Sequence, residues 1–441
     1  MKKFLAAVVV ILVAAGLGAP FASGLVAERQ FREKVDKINK LYGDAALGIT
    51  VDITRYDRGF SSSEVEWKLN LGKMSAFYGV KDVVLYDRVQ HEMTGVVVET
   101  TLTKNPKYEE IVKNRLAGKD PLHITSRYSL SGELTTTATL DAFVVNVDGQ
   151  TLEVKPARMV TTVDKELKHF ASEGTWEGVA MNGVGSVDGV SMKSDLTMET
   201  IYLWNGTAAM VAKSGRVEDV NGPFSLDNLK IKYVSEYDKG NNKLAGKVEY
   251  GADKLVAGEK KVENAFVRLA MKGINASVYE ELMRQYLAAF NKILADTGVN
   301  AQDPEQWEKA LEQQMGQIGM QLMGTAEKLL ANGLEFQISD LRFTLPEGEV
   351  KGGLRVGLNK DMTFVQFIPL ANQPELALQI FSLQSNCSLP KQLLGGDPAL
   401  LEPAFPGMQT GLFVEKGQWA EHKTEIKDGK LLLNDNVVQM Q

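Results

Sequence analysis

Hydrophobic and polar positions alternate with a period of two along most of the chain, and helical spacing takes over chiefly at the N-terminus and between residues 277 and 333. The alternation runs from Leu47 to about Ile274. In EVEWKLNL it puts Val65, Trp67, Leu69 and Leu71 on one face. In LKIKYVSEY it puts Leu229, Ile231 and Tyr233 on one side and lysines on the other. ITVDITRY alternates as well, and ELTTTATL and DLTMETIYLW are rich in threonine and other β-formers. DKGNN then turns the chain into KLAGKVEYG, with Leu244 and Val248 in register. Gly, Asp and Asn between such runs point to hairpins and antiparallel pairing. One apolar and one polar face per strand predicts sheets covered on one side only.

Helical spacing appears first in ERQFREKVDKINKLYGDA, where Phe31, Val35, Ile38 and Tyr42 share a face and Gly43 is a stop. This helix is expected to dock on its own domain. In SVYEELMRQYLAAFNKILADTG, Leu282, Tyr286, Ala289, Phe290 and Ile293 make an apolar stripe. Asp303 and Pro304 then read as a cap and first helical position. Trp307, Leu311, Met315, Ile318, Leu322, Ala326 and Leu329 continue the stripe to a stop at Gly333. Strands resume with LEFQISDLRFTL and LRVGLN. The segment Leu370–Pro406 reads as helical and loop-rich. HKTEIKDGKLLLNDN reads as a hairpin, with Asp428 and Gly429 turning Thr424 and Ile426 onto Leu431 and Leu433.

The expected fold is α+β and mainly antiparallel β: an extended curved β-sheet of hairpins, an inserted amphipathic helix pair and an N-terminal membrane helix. The segments are 1–27 (anchor or uncleaved signal), 28–45 (linker helix), 46–276 (β region), 277–333 (helical insertion) and 334–441 (C-terminal β region with a helical and loop segment).

The membrane expectation rests on Lys2 and Lys3 followed by an uncharged run from Phe4 to Ala27. About 20 apolar residues span a bilayer as a helix, and flanking lysines stay cytoplasmic. A cleaved signal peptide is the alternative. Cutting after Ala22 puts Pro20 at the third position back, and cutting after Ala27 puts Leu25 there. Neither fits the small-residue pattern, which favours a retained anchor in the inner membrane with the bulk facing the periplasm. The formal net charge of -7 and the pI near 5.4, with no Lys/Arg run beyond the N-terminus, argue against nucleic acid as a partner. The single cysteine, Cys387, permits no internal disulfide and reads as a small buried apolar side chain.

Candidate chemistry is sparse. Ser61, Ser62 and Ser63 follow Gly59 and Phe60, with no strained nucleophile elbow around them. The four histidines, His91, His123, His169 and His422, are isolated in sequence. The serines are therefore expected to satisfy local backbone groups, with Gly59 at a turn or bulge and Tyr56 and Phe60 facing the core. Gly183, Gly185 and Gly189 miss the dinucleotide fingerprint by one residue and precede a strand, so they read as turns. No zinc-type spacing is present. Met315, Met320 and Met323 offer soft ligands for Cu(I), but helical spacing makes core or groove lining the expectation. Glu109/Glu110 and Glu280/Glu281 read as solvated pairs, and Asn205, Asn275 and Asn386 lie in N-x-[ST] triplets that matter only in a eukaryotic secretory pathway. No catalytic, metal or cofactor residue is assigned.

Four features in order carry a resemblance: the short anchor with its charged helix, RYDRGFSSSEVEW, the RQYLAAFNKIL helix, and the closing TEIKDGKLLLND hairpin. On these the chain resembles the YdgA-like family of bacterial envelope proteins, a family of unknown function, over nearly its whole length. The resemblance implies an inner-membrane protein with a periplasmic body and brings no catalytic residues. The functional expectation is a non-catalytic envelope-maintenance protein that binds lipid or another apolar ligand. The alternative is an assembly module that meets another envelope protein through strand edges or the Met-rich helix.

Overall fold

The computed structural model describes residues 2–44, 48–75, 79–147, 149–218, 222–296, 316, 318–320, 322–371, 373–395 and 411–438, without the side chains of 2–19, 44, 73, 293–296, 371 and 374. Twenty-two strands lie among the described residues, and they pair antiparallel. The fold is therefore a mainly antiparallel β structure with few helices. The chain divides into two compact units: Met1–Val179, Lys193–Tyr202 and Met283–Gln321 form unit 1, and Ala180–Met192, Leu203–Leu282 and Leu322–Gln441 form unit 2. These units cut across the segments 46–276 and 277–333 read from the sequence.

Unit 1 opens with α1 (Lys2–Asp44), one helix of 43 residues. It runs through Pro20, whose missing N–H leaves one helical bond unmade; Ser23 Oγ donates to the Pro20 carbonyl at 2.9 Å. The apolar run Phe4–Ala27 falls mostly where α1 side chains lie outside the described residues. Among the described residues, no helix is long and apolar enough to cross a membrane.

The strands β1 (Thr50–Arg58), β2 (Ser62–Asn70), β3 (Asp82–Glu92), β4 (Gly95–Thr101), β5 (Leu122–Ser129) and β6 (Leu134–Leu140) form a meander. β6 then pairs with β9 (Ala157–Val163), and β9 with β10 (His169–Met181). The hairpin of β7 (Phe143–Val147) and β8 (Gln150–Val154) is inserted between β6 and β9. A helix absent from the sequence reading, α2 (Pro106–Arg115), joins β4 to β5. Its start is nonetheless written locally: Pro106 sits at the first helical position, where its fixed φ suits a helix and its missing N–H costs nothing.

The core of unit 1 lies under α1. Phe31, with no exposed surface, enters a ring of Tyr56, Trp67 and Tyr128 above Val65, Val89, Val96 and Val98. The polar side of α1 is fastened too. Asn39 exchanges two bonds with the Val51 backbone at 2.8 and 2.7 Å, and Lys34 Nζ donates to the Gly132 carbonyl at 3.2 Å. The helix thus docks on its own domain.

Unit 2 contains longer strands. β11 (Gly185–Met198) begins in it. β12 (Trp204–Val217), β13 (Phe224–Asp238), β14 (Lys243–Ala257) and β15 (Lys260–Asn275) have 14, 15, 15 and 16 residues. At about 3.3 Å per residue, 15 residues reach roughly 50 Å. They continue through β16 (Glu335–Leu345), β17 (Gly348–Leu358) and β18 (Phe381–Pro390) as one sequential meander. Between β15 and β16 comes α3 (Ala276–Asp296). The Asn275 side chain caps it by accepting the Val278 N–H at 3.1 Å, and fully buried Ala276 packs with Leu203 and Leu244. Residues 316, 318–320 and 322–327 are helical, whereas the expected start at Asp303–Pro304, with Trp307, Leu311 and Met315, lies outside the described residues.

The segment read as helical and loop-rich has helical turns but also holds a strand, and its last part, 396–406, lies outside the described residues. Short helical turns occupy residues 364–380, but Phe381–Pro390 forms β18, paired with β17 on one edge and with β20 (Trp419–Lys427) on the other. Its sequence, FSLQSNCSLP, alternates with Phe381, Leu383, Cys387 and Leu389 on one face, but Ser385 interrupts that face and Pro390 ends it, so the period-two signal is short beside the Gly and Pro breaks that follow. β19 (Val414–Lys416) also pairs with β20. The closing hairpin forms as read: β20 meets β21 (Lys430–Leu433), with Asp428 and Gly429 at φ of 50° and 69°, as a two-residue turn of type I′ requires. β22 (Asn436–Val438) adds one more short strand.

Candidate functional site

The serine-rich turn is the first place where the fold assembles possible chemistry. Ser63 Oγ and His91 Nε2 lie 2.8 Å apart, although 28 residues separate them. His91 Nδ1 faces the Phe60 carbonyl at 3.2 Å. A carbonyl only accepts, so Nδ1 carries the proton and Nε2 accepts from the serine hydroxyl. That tautomer suits a general base, and sequence reading missed the pair because β2 and β3 bring it together by register. Its surroundings do not suit catalysis. Ser63 and His91 are 3% and 7% exposed, and a Cβ added at Gly24 of α1 would clash with the imidazole. The partner of Nδ1 is a carbonyl rather than a carboxylate, and α1 covers the pair at Gly24. Burial also pushes the His91 pKa down, holding the ring neutral. Ser63 therefore bonds a histidine instead of local backbone. Phe60, expected in the core, is 58% exposed, because it lies at the tip of the β1–β2 turn beyond the paired strands.

Asp87 lies on the same face of β3, four residues before His91. It accepts from Trp67 Nε1 and Thr100 Oγ1, each at 2.6 Å. Burial pushes its pKa up even against those two donors. A polar hollow of about 380 Å³ elsewhere in unit 1 sets Arg158 and Lys193 beside Glu173 and Asp195, a balanced set of charges.

In unit 2, Cys387 on β18 stands opposite His422 on β20, at a hollow of about 290 Å³. Both histidine nitrogens are engaged, Nδ1 with the Leu412 carbonyl at 2.9 Å and Nε2 with Thr424 Oγ1 at 3.1 Å. Burial pushes the Cys387 thiol up, away from the reactive thiolate. Among the described residues, no three His, Cys, Asp or Glu side chains gather as a metal site would need. Met320 and Met323, expected to line a core or groove, are 69% and 51% exposed. Gly183 forms the β10–β11 turn at φ 72°, with no helix N-terminus beside it.

The sheet face of unit 2 is different in kind. Register places Met210, Ile231, Tyr250, Val267 and Leu341 in one row across β12 to β16. The next row holds Tyr233, Val248, Leu269, Ile338 and Leu354. A third adds Met271, Phe336, Val356 and Leu383. The intervening positions form the opposite face, with Lys232, Glu249, Arg268 and Asp340 in one row. Arg268 bonds Glu249 there at 2.9 Å. One side of this sheet is thus a charged ladder and the other an apolar one. Tyr233, Tyr250, Met271 and Phe336 on the apolar side remain 37–42% exposed.

A hollow of about 370 Å³ sinks into this apolar surface, lined by Leu229, Tyr250, Ala252, Val267, Leu341 and Phe343, among others. Its origin is a cross-strand pair of small residues, Ala252 opposite Ala265, flanked by the Tyr250–Val267 pair. Asn228 and Asn264, both with φ above 50°, interrupt β13 and β15 at this level. The volume lies at the lower end of the range for small-molecule sites. Its walls can exclude water and hold a hydrocarbon, burying about 0.8 kcal/mol per methylene. Among the described residues that line it, Tyr250 and Arg342 carry the polar side chains and the rest are apolar or glycine.

A sequence model of a family described as a bacterial protein of unknown function (DUF945) matches residues 1–441. The chain belongs to this family. Searches of characterised proteins and of solved structures gave no match. The resemblance read from RYDRGFSSSEVEW and the closing hairpin agrees with the family assignment.

Proposed function

We propose that this DUF945 protein is a non-catalytic, membrane-anchored envelope protein that holds a lipid or another apolar ligand on the exposed face of unit 2. The uncharged run Phe4–Ala27 behind Lys2 and Lys3 is the anchor, with the body in the periplasm and a role in envelope maintenance. The hollow at Ala252 and Ala265 carries this reading, because it is apolar, open and set in a field of aligned apolar rows. Ten buried methylenes give about 8 kcal/mol, enough to offset part of the association cost.

Native mass spectrometry of the full chain after gentle detergent extraction tests the reading. The wild type is expected to retain a lipid-sized mass and A265L, which fills the hollow, to lose it. A reproducibly ligand-free wild type, or equal retention by a folded A265L, would overturn it.

A further inference from the structure

Three hairpin tips of unit 1 lie side by side, and each exposes one large apolar side chain: Phe60, Met93 and Leu130, at 58%, 62% and 48%. Their adjacency is fixed by backbone bonds. The His91 N–H donates to the Ser61 carbonyl at 2.9 Å, and the Leu130 N–H to the Thr94 carbonyl at 3.2 Å. Hairpin tips are ordinarily polar or glycine-rich, so three exposed apolar tips in a row call for a reason.

The arrival of α1 supplies one. Phe21 stacks on Phe60 with ring centroids 5.9 Å apart, and Leu25, one turn later, is also exposed. These residues are the end of the same uncharged run that begins at Phe4. The Phe60 tip therefore continues the apolar surface that Phe21 and Leu25 present on the helix. Immediately below, a hollow of about 460 Å³ is lined by Leu25, Val26, Glu28, Arg29, Arg32 and Arg58. It holds three guanidinium groups against one carboxylate. Glu28 bridges Arg32 at 3.1 Å and Arg58 at 2.9 Å, while Arg29 leans toward Glu33 at 3.7 Å. Phe21 and Leu25 lead, Arg29 and Arg32 follow about one and two turns further along α1, and the Arg58 guanidinium reaches over the Phe21 ring at 5.6 Å, a sequence that suits the passage from acyl chains to phosphate headgroups.

We infer that the Phe60 and Met93 tips of unit 1 insert into the interfacial layer of the lipid bilayer that α1 enters, with Arg29, Arg32 and Arg58 at headgroup level. The inference rests on the anchor reading above and deepens it: unit 1 sits on the membrane surface rather than hanging from it. Leu130 is touched by Gln30, nine residues beyond Phe21, so along an upright α1 it stands about 13 Å further out. It is not expected to insert.

The test uses the full chain with Cys387→Ser, reconstituted into phosphatidylcholine–phosphatidylglycerol vesicles. A polarity-sensitive fluorophore is placed singly at Phe60→Cys, Met93→Cys, Leu12→Cys or Lys113→Cys. Leu12 reports the anchor. Lys113, exposed on α2 at the far end of the β4 and β5 strands, is the dry-land control. The expected result is a blue shift and quenching by lipid-borne quencher at Phe60 and Met93, with neither at Lys113. Aqueous emission at both tips with a quenched Leu12 label would overturn the insertion while leaving the anchor. An unquenched Leu12 label would overturn both. Equal quenching at Lys113 would overturn the specific orientation.

Discussion

Replacing Phe31 with alanine should detach α1 from the strands of unit 1. Phe31 has no exposed surface, and its ring lies 4.7 Å from that of Tyr128, 5.4 Å from Trp67 and 6.4 Å from Tyr56, centroid to centroid. A buried Phe→Ala change costs about 3–5 kcal/mol, through lost transfer energy and the cavity left behind. Three aromatic partners, each contributing about 0.5–1.5 kcal/mol beyond area, place this site toward the upper end. Because the chain has two compact units, a single melting temperature would blur the effect. Hydrogen exchange followed by mass spectrometry resolves it, with unit 2 peptides as the internal reference. Three kcal/mol corresponds to exchange faster by more than about 100-fold across residues 23–43 and β1 to β4. A change below about fivefold would refute the claim that the Phe31 ring is the centre of this core.

Two titrating groups on one face of β3 should pull unit 1 stability in opposite directions. His91 has a depressed pKa, so the unfolded chain takes the proton first and unit 1 loses stability as pH falls through the ordinary value of 6.5. H91Q should lose less in urea titrations between about pH 7.5 and pH 5; an equal loss would contradict the assignment. Asp87 has a raised pKa, so its ionised form opposes folding at neutral pH and stability is regained as pH falls through the raised value. D87N, which can still accept from Trp67 and meet Thr100, should be at least as stable as wild type near pH 7 by the same assay, and a clear destabilisation would contradict this. At the closing hairpin, Gly429→Ala at φ 69° should cost about 1–2 kcal/mol in a thermal or urea melt of unit 2, and no measurable loss would contradict the type I′ turn.

Local signals were legible wherever a residue acts through its own backbone or its immediate neighbours. Asp428–Gly429 forced a turn, Phe31 and Val35 marked the buried side of a helix, and the alternation in LKIKYVSEY gave the correct two faces. What depended on pairing was hidden. β18 does alternate, but its run is short, broken at Ser385 and set among Gly and Pro, and its pairing with β17 and β20 is what shows it as a strand. The Ser63–His91 bond needs the β2–β3 register, and Ala252 opposite Ala265 needs the β14–β15 register, so neither hollow nor hydrogen bond has a motif. Phe60 was misplaced for a related reason. Alternation assigns a face to each residue of a strand, but a tip residue leaves the strand plane.

The most direct test of the apolar-face account is photo-crosslinking in intact cells with a fatty acid that carries a photoreactive group and is built into the membrane lipids. Peptide mapping should place adducts on β13 to β16, centred on Leu229, Tyr250, Val267 and Leu341, and A265L should abolish them. Adducts confined to α1, or none on the unit 2 sheet despite efficient labelling of other envelope proteins, would contradict the account.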